Sequence, residues 1–220
     1  FIAKDAFPYK TTTGETYDVG DFAKVLAHAA NSADLKGYAA RKAQSLSKGK
    51  LRGQGLCYYI ESILGAPSET AKVAFNEDGT VSIFVGTQSN GQGHETTFAQ
   101  FLSDQTGIPY DAIYVIQGDS DQIETGGGTG GSRSATVQNN ATLATVSIII
   151  EAFTGYLADK FDVTKNDIHF DDETFRISGS NLTPNMLDCA EMARLDGRND
   201  LLTHKASAEL EARSFPNGAH

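Results

Sequence analysis

The sequence predicts an α+β fold in which short mixed sheets pack against helices. Three observations point there. Apolar residues recur at helical spacing in several longer segments, short alternating runs lie between them, and two of those runs lead through a glycine-rich loop into a helix. Residues 1–19 are turn-rich, with Pro8, Thr11, Thr12, Thr13 and Gly14, and read as an extended lead-in. Asp21 is placed to cap a helix whose Phe22, Val25, Leu26 and Ala29 share one face. A second helix is expected over residues 34–46, closed by Ser47-Lys48-Gly49-Lys50. From Leu51 the pattern changes. Leu56, Tyr58, Tyr59 and Ile60 suit a strand, and Gly53 and Gly55 let neighbouring backbone come close. The change divides the chain into a helical lead-in, residues 1–50, and an α+β domain, residues 51–220.

Residues 70–75 and 80–86 alternate around Asn76-Glu77-Asp78-Gly79, where Asp-Gly predicts a type I′ hairpin turn. A polar stretch leads to a helix with Phe98, Phe101 and Leu102 on one face, ended by Ile108-Pro109. Residues 112–117 form the next strand. The loop from Gly118 to Gly131 holds six of the chain's 22 glycines. A long helix then runs from Ser132 or Ser134 to about Lys160. Its second half (Leu143, Val146, Ile148, Ile149, Ile150, Phe153) is apolar all round, as expected of a helix buried on several sides. Residues 168–170 and 174–177 suit a second hairpin. Thr183 is placed to cap a helix carrying Met186, Leu187, Ala190 and Met192, with Pro184 in its first turn. Residues 206–213 suit a last strand.

Composition narrows the function. The 220 residues carry 18 basic against 28 acidic side chains, a net charge of −10. That balance argues against nucleic acid as a partner and against a polybasic membrane patch, since both need clustered Lys and Arg. Two cysteines, Cys57 and Cys189, build no disulfide framework and fit a reducing, cytoplasmic compartment. The longest greasy run, Val146 to Ile150 within residues 143–153, falls short of the roughly 20 residues of a membrane span, so no membrane partner is expected. No signal peptide opens the chain. The start at Phe1 and the absence of a polar tail before His220 suggest an excised domain or subunit fragment.

Two turns carry the chemistry. Gly91-Gln92-Gly93-His94-Glu95-Thr96 and Gly126-Gly127-Gly128-Thr129-Gly130-Gly131-Ser132-Arg133-Ser134 each follow a strand and open a helix. Glycine there clears side chains from the path of an anion, and a helix N-terminus adds unpaired N–H groups and about half a positive charge. Gln92, His94, Thr96, Ser132 and Ser134 supply further donors, and Arg133 is placed to make a forked contact with a phosphate. Two such turns suggest a long ligand with separated polar ends.

Other chemistries fail on spacing. His94-Glu95 begins like a zinc-protease motif, but Phe98 stands where the second histidine belongs. Gly130-Gly131-Ser132-Arg133-Ser134 lacks the final glycine of a nucleophile elbow, and neither loop ends in Gly-Lys-Ser/Thr. Asp119, Asp121 and Glu124 miss the spacing of a calcium loop and read as solvated acids. Cys57 and Cys189 read as small buried hydrophobes, and His94 as a helix-start or core residue rather than a metal ligand.

The run Gly86-Thr87-Gln88-Ser89-Asn90-Gly91-Gln92-Gly93-His94-Glu95-Thr96, with Gly107-Ile108-Pro109 and Gly130-Gly131-Ser132-Arg133-Ser134, resembles the molybdenum-binding large subunit of the xanthine dehydrogenase / aldehyde oxidase / carbon monoxide dehydrogenase family. Phe7-Pro8-Tyr9, Lys50-Leu51-Arg52-Gly53 and Phe215-Pro216-Asn217-Gly218 are similar to the same subunit, leaning toward its carbon monoxide dehydrogenase-like branch. The resemblance implies a molybdopterin-binding two-layer arrangement and a molybdopterin cofactor, expected in the cytosine dinucleotide form. It assigns Gln92, Gly93, His94, Glu95 and Thr96 to the dinucleotide and phosphate. It assigns Gly130, Gly131, Ser132, Arg133 and Ser134 to the pterin, with the Gly131 backbone near molybdenum. The metal is held by the pterin dithiolene, so no protein ligand to it is implied. The implied activity is oxidative hydroxylation of an aldehyde or N-heterocycle, or oxidation of CO. Its partners are the rest of the large subunit and FAD-binding and 2Fe-2S subunits or domains. The family's base glutamate sits in a glycine-rich motif that this chain lacks, so no catalytic residue is named, and the segment alone is expected to be inactive and empty. Two rivals use the same residues: a non-catalytic nucleotide- or phosphate-binding module, and a structural domain whose glycines merely close turns.

Overall fold

The structure, a computed structural model, describes residues 1–220. The chain forms two compact units, residues 1–63 with 212–220, and residues 64–211. The boundaries thus fall at 63/64 and 211/212 rather than at the 50/51 expected from composition, and the C-terminal residues belong with the N-terminal ones.

The smaller unit has few buried apolar side chains, Phe22, Ile63 and Phe215. A two-stranded ladder pairs β1 (Tyr9–Lys10) with β2 (Thr16–Tyr17). Helix α1 (Phe22–Ser32) starts as expected, with Asp21 Oδ1 accepting from the Lys24 N–H at 3.3 Å. The helix expected over residues 34–46 is broken: a 3-10 turn, Leu35–Gly37, precedes α2 (Tyr38–Ser47). Asp34 takes a left-handed φ of 44° and accepts from the Gly37 N–H, competing locally with a continuous helix. Strand β3 (Tyr58–Ile60) pairs antiparallel with β10 (Asn217–Ala219), a strand the sequence pattern does not show.

The larger unit is a two-layer α+β structure. Its strands are β4 (Ser68–Phe75), β5 (Val81–Val85), β6 (Ile113–Ile116) and β9 (Thr203–Glu209), in the order β6-β5-β4-β9. The β4 pairings to β5 and β9 are antiparallel, whereas β5 and β6 run parallel. A parallel pair needs a long crossover, and α3 (His94–Thr106) supplies it. The β4–β5 hairpin is not type I′: Asn76 and Thr80 pair through the Asn76 N–H and Thr80 carbonyl, and Gly79 carries the positive φ (82°). Asp78 instead uses its side chain to accept from the Thr80 N–H at 3.0 Å. Gly107, at φ 71°, ends α3 one residue ahead of the expected Ile108-Pro109 stop.

Along β4 and β5 every second residue is buried, so Ala71, Val73, Phe75, Val81, Ile83 and Val85 face the helices. Helix α4 (Ser134–Phe161) crosses that face and contributes Val146, Ile149, Phe153 and Leu157, while α3 contributes Phe98 and Leu102. Hairpin β7–β8 (Ile168–Asp171 and Thr174–Ile177) and α5 (Met186–Leu195) close the core with Phe175, Ile177, Met186 and Cys189. The expected burial of α4 on several sides is only partly met, because Leu143 and Ile148 are more than two-fifths exposed. By length and composition α4 is apolar enough to cross a membrane, contrary to the shorter run picked out in the sequence, yet half of that stretch is buried inside the protein. Asn185, not Thr183, caps α5 in a reciprocal box with Asp188, leaving Pro184 outside.

Helices α4 and α5 are joined at one end by Asp196, whose Oδ2 accepts from the Tyr156 hydroxyl at 2.7 Å and from the Lys160 ammonium. The lysine hydrogen bond, then the tyrosine one, hold its carboxyl below the usual carboxylate range. With the folded value lower, this contribution is complete above the unfolded pKa of ~3.9 and is lost as pH falls through the folded value. Urea unfolding of wild type and Asp196→Asn should therefore show a gap near pH 7 that shrinks toward about pH 2. An equal gap at both would remove the linkage.

Candidate functional site

The first turn begins where β5 ends. Residues 86–93 carry the chain from the sheet to α3, and Gly91 and Gly93 take φ of 100° and 80°, a region costly for other residues. His94 turns inward and is buried. Its Nε2 faces the Gln92 side-chain N at 3.1 Å, and an amide nitrogen only donates, so Nε2 accepts. The proton then sits on Nδ1 and is donated to the Thr87 carbonyl at 3.3 Å, while the ring packs on Phe98. Gln92 Oε1 accepts from the Asn90 N–H, so both ends of that side chain are engaged. Glu95 accepts from the Gln117 side chain, and Gln117 Oε1 accepts from the Ser89 N–H at 2.8 Å. Thr96 is exposed. The side chains of Gln92, His94 and Glu95 thus brace the turn, while Thr96 faces solvent beside the first-turn backbone of α3.

The second turn lies directly beside the first. The Gly128 N–H donates to the Gly86 carbonyl at 3.2 Å, and the Thr129 hydroxyl donates to the Gln88 carbonyl at 2.5 Å. Ser134 Oγ in turn donates to Thr129 Oγ1 at 3.2 Å. A cleft of about 260 Å³ opens between the loops, lined in part by Gly86, Gln88, Gly118, Asp119, Gly126 and Gly128. Asp119 is held ionised by hydrogen bonds from the Gln122 side chain and the Asp121 N–H, which lower its pKa. A fixed carboxylate repels phosphate, so an anion is better placed over the helix ends than in that cleft.

Arg133 corrects the expectation of a phosphate fork. Its side chain is 2% exposed and its guanidinium is spent on its own chain. Nε donates to the Ala66 carbonyl, Nη1 to the Gly128 carbonyl and Glu69 Oε2, and Nη2 to the Ser68 carbonyl, all at 2.6–2.9 Å. The sequence did carry a signal for this. Glu69 stands in the inward register of β4 with Ala71, Val73 and Phe75, where a carboxylate needs a buried partner. Gln138, fully buried on α4, was also missed; it accepts from the Gly86 N–H and donates to the Thr70 carbonyl, both at 3.1 Å.

The glycines fall into two kinds. A Cβ on Gly86 would lie 2.6 Å from Gly126 Cα, and one on Gly127 2.5 Å from the Arg133 guanidinium, so these are glycine for internal packing. Gly131, at φ 63°, would place a Cβ 3.0 Å from the Leu64 backbone, so a bulky residue there strains the fold itself. Around Gly91, Gly93 and Gly130 a Cβ would meet nothing within 4 Å. Neither α3 nor α4 has a side-chain cap, so the first-turn N–H groups of both helices lack a capping side chain.

A two-layer α+β unit with two uncapped helix ends beside cross-tied glycine turns is a scaffold for gripping an anionic ligand through its main chain. Residues 28–220 match the family described as the molybdopterin cofactor-binding domain. The chain belongs to that family. It is 30% identical over 196 residues to the carbon monoxide dehydrogenase large chain of Afipia carboxidovorans, covering 81% of this chain and 24% of that one. It is 29% identical over 186 residues to the nicotine 6-hydroxylase large subunit of Paenarthrobacter nicotinovorans, covering 79% and 23%. A crystal structure of a Cu,Mo-CO dehydrogenase superposes with a TM-score of 0.81 at 27% identity, covering all of this chain and 30% of that one. Quinoline 2-oxidoreductase from Pseudomonas putida 86 shares the fold, with a TM-score of 0.80 at 21% identity over 99% of this chain and 30% of that one. The chain spans about a quarter of the length of these curated relatives.

Proposed function

We propose that this chain forms part of the cofactor cradle in the large subunit of a molybdenum hydroxylase, whose substrate is an aldehyde, an N-heterocycle or CO. The carrying observation is the pair of adjacent turns, each presenting uncapped helix amides with open glycine beside them. These features fit a molybdopterin dinucleotide, which is elongated, carries a diphosphate, and brings its own dithiolene to the metal. The cytosine dinucleotide form is the one we assign. The amides of His94, Glu95 and Thr96 would hold the diphosphate, with Gln92, Gly93 and His94 shaping the turn. Gly130, Gly131, Ser132 and Ser134 would run beside the pterin, and Arg133 would support them from behind. When bound, the molybdenum group supplies the redox chemistry of hydroxylation. This chain's residues bind and orient it, and none is assigned a proton-transfer step. Electron transfer would use FAD-binding and 2Fe-2S partners; Cys189 is buried as expected, whereas Cys57 is exposed rather than a buried hydrophobe, and a free exposed thiol suits the reducing cytoplasm.

Gly130→Val tests this in the intact parent subunit. A Cβ at this position meets no protein atom within 4 Å, and the residue does not need a positive φ. Unfolding of this chain should shift by less than ~0.5 kcal/mol. Bound molybdenum and pterin per polypeptide should fall about tenfold or more, equivalent to at least ~1.4 kcal/mol of binding. Normal cofactor content would sink the proposal.

A further inference from the structure

Resting on the anion-binding role, we propose that Glu69 and Arg133 are positioning residues: a buried charge pair that moulds residues 126–131 from the inside and so presets the mouth of α4 for its ligand. Both side chains are 2% exposed and meet at 2.9 Å. The contacts radiate into the loop and its supports. Glu69 Oε2 accepts from the Gly127 N–H at 2.9 Å, and Glu69 Oε1 from the Thr70 N–H at 3.2 Å. Arg133 holds the Gly128 carbonyl from the other side at 2.6 Å. Gly127 and Gly128 are therefore clamped through opposite backbone groups by opposite charges. The first turn has no buried ion pair; Gln92, His94 and Gln117, the last held by Glu95, brace it through hydrogen bonds. A planar fork reaching three carbonyls and a carboxylate is a role lysine cannot fill, since its single ammonium has no such spread.

The glycine-rich run at 126–128 then has a second meaning. Gly126 gives room to Gly86 and Gly127 to the Arg133 guanidinium, and Gly128 turns the loop at φ 71°, whereas the open positions are Gly130, Gly91 and Gly93. Arg133 acts on the ligand only through the loop.

The test uses the full chain, with Arg133→Lys and Glu69→Gln as conservative variants and inorganic pyrophosphate as probe. Amide hydrogen exchange, read residue by residue, should show Gly127 and Gly128 exchanging about tenfold or more faster in both variants, with Val73 and Ile83 unchanged. Pyrophosphate should shift the amides of residues 94–96 and 134–136 in the wild type. In the variants its affinity should weaken about tenfold as read at 134–136, with the response at 94–96 retained. Unchanged exchange at Gly127 and Gly128, or an equal acceleration across the whole unit, overturns the positioning role. Silence of the wild-type chain toward pyrophosphate at both helix ends overturns the anion role and the purpose given to the pair, and it is separable because the exchange result stands apart from it.

Discussion

Arg133→Met is expected to destabilise the chain by ~3–5 kcal/mol, the cost of stripping one partner from a buried ion pair. The residue left behind decides the size. Glu69 keeps the Gly127 and Thr70 N–H groups but loses its only cation, in surroundings where its side chain is 2% exposed. The carbonyls of Ala66, Ser68 and Gly128 lose their donor at the same time. Removing the carboxylate as well, in Arg133→Met/Glu69→Leu, should recover part of the loss, because two apolar groups of similar bulk carry no unpaired charge. Urea unfolding of the single and double variants measures both. A loss below ~1 kcal/mol for Arg133→Met would mean that water solvates the pair, as at a protein surface.

Phe153→Ala should cost a similar ~3–5 kcal/mol by a different route. Phe153 is fully buried on α4, and its ring meets three partners. Phe75 on β4 lies at 5.4 Å, Phe175 on β8 at 6.2 Å and His204 on β9 at 6.2 Å. Truncation therefore loosens α4 from the sheet and from the β7–β8 hairpin together. The two variants should separate in hydrogen exchange. Arg133→Met should loosen residues 126–131 before the sheet, whereas Phe153→Ala should raise exchange at Val73, Ile83 and Leu157 alike. Preserved protection at those positions in Phe153→Ala would show that the core repacks around the gap.

The candidate site was half legible. Glycine followed by a helix start announced both turns, and the structure ties them together through Gly86, Gln88, Gly128 and Thr129. What the side chains do there was misjudged, because donors in a motif look alike whether they face a ligand or their own backbone. Arg133 faces inward and Gln92, though exposed, is bonded back to its own turn, and only coordinates show the Asn90 N–H, the His94 ring and the three carbonyls that these side chains reach. The cap of α5 shows the same limit at short range, since Thr183 and Asn185 are both capping residues and the reciprocal bond with Asp188 selects Asn185.

By itself, the order of residues determined what depends on neighbours along the chain: the Asp21 cap, the alternation of β4 and β5, the glycine turns, the long apolar stretch of α4, and the likeness to molybdenum-binding subunits. Tertiary structure decided what depends on partners far apart in sequence. It paired β10 with β3, set Glu69 against Arg133, and sorted the glycines into those that make room for packing and those left open. The physical reason is range: capping, turns and periodicity act over a few residues, whereas a buried charge is stabilised only by the group that folding brings beside it.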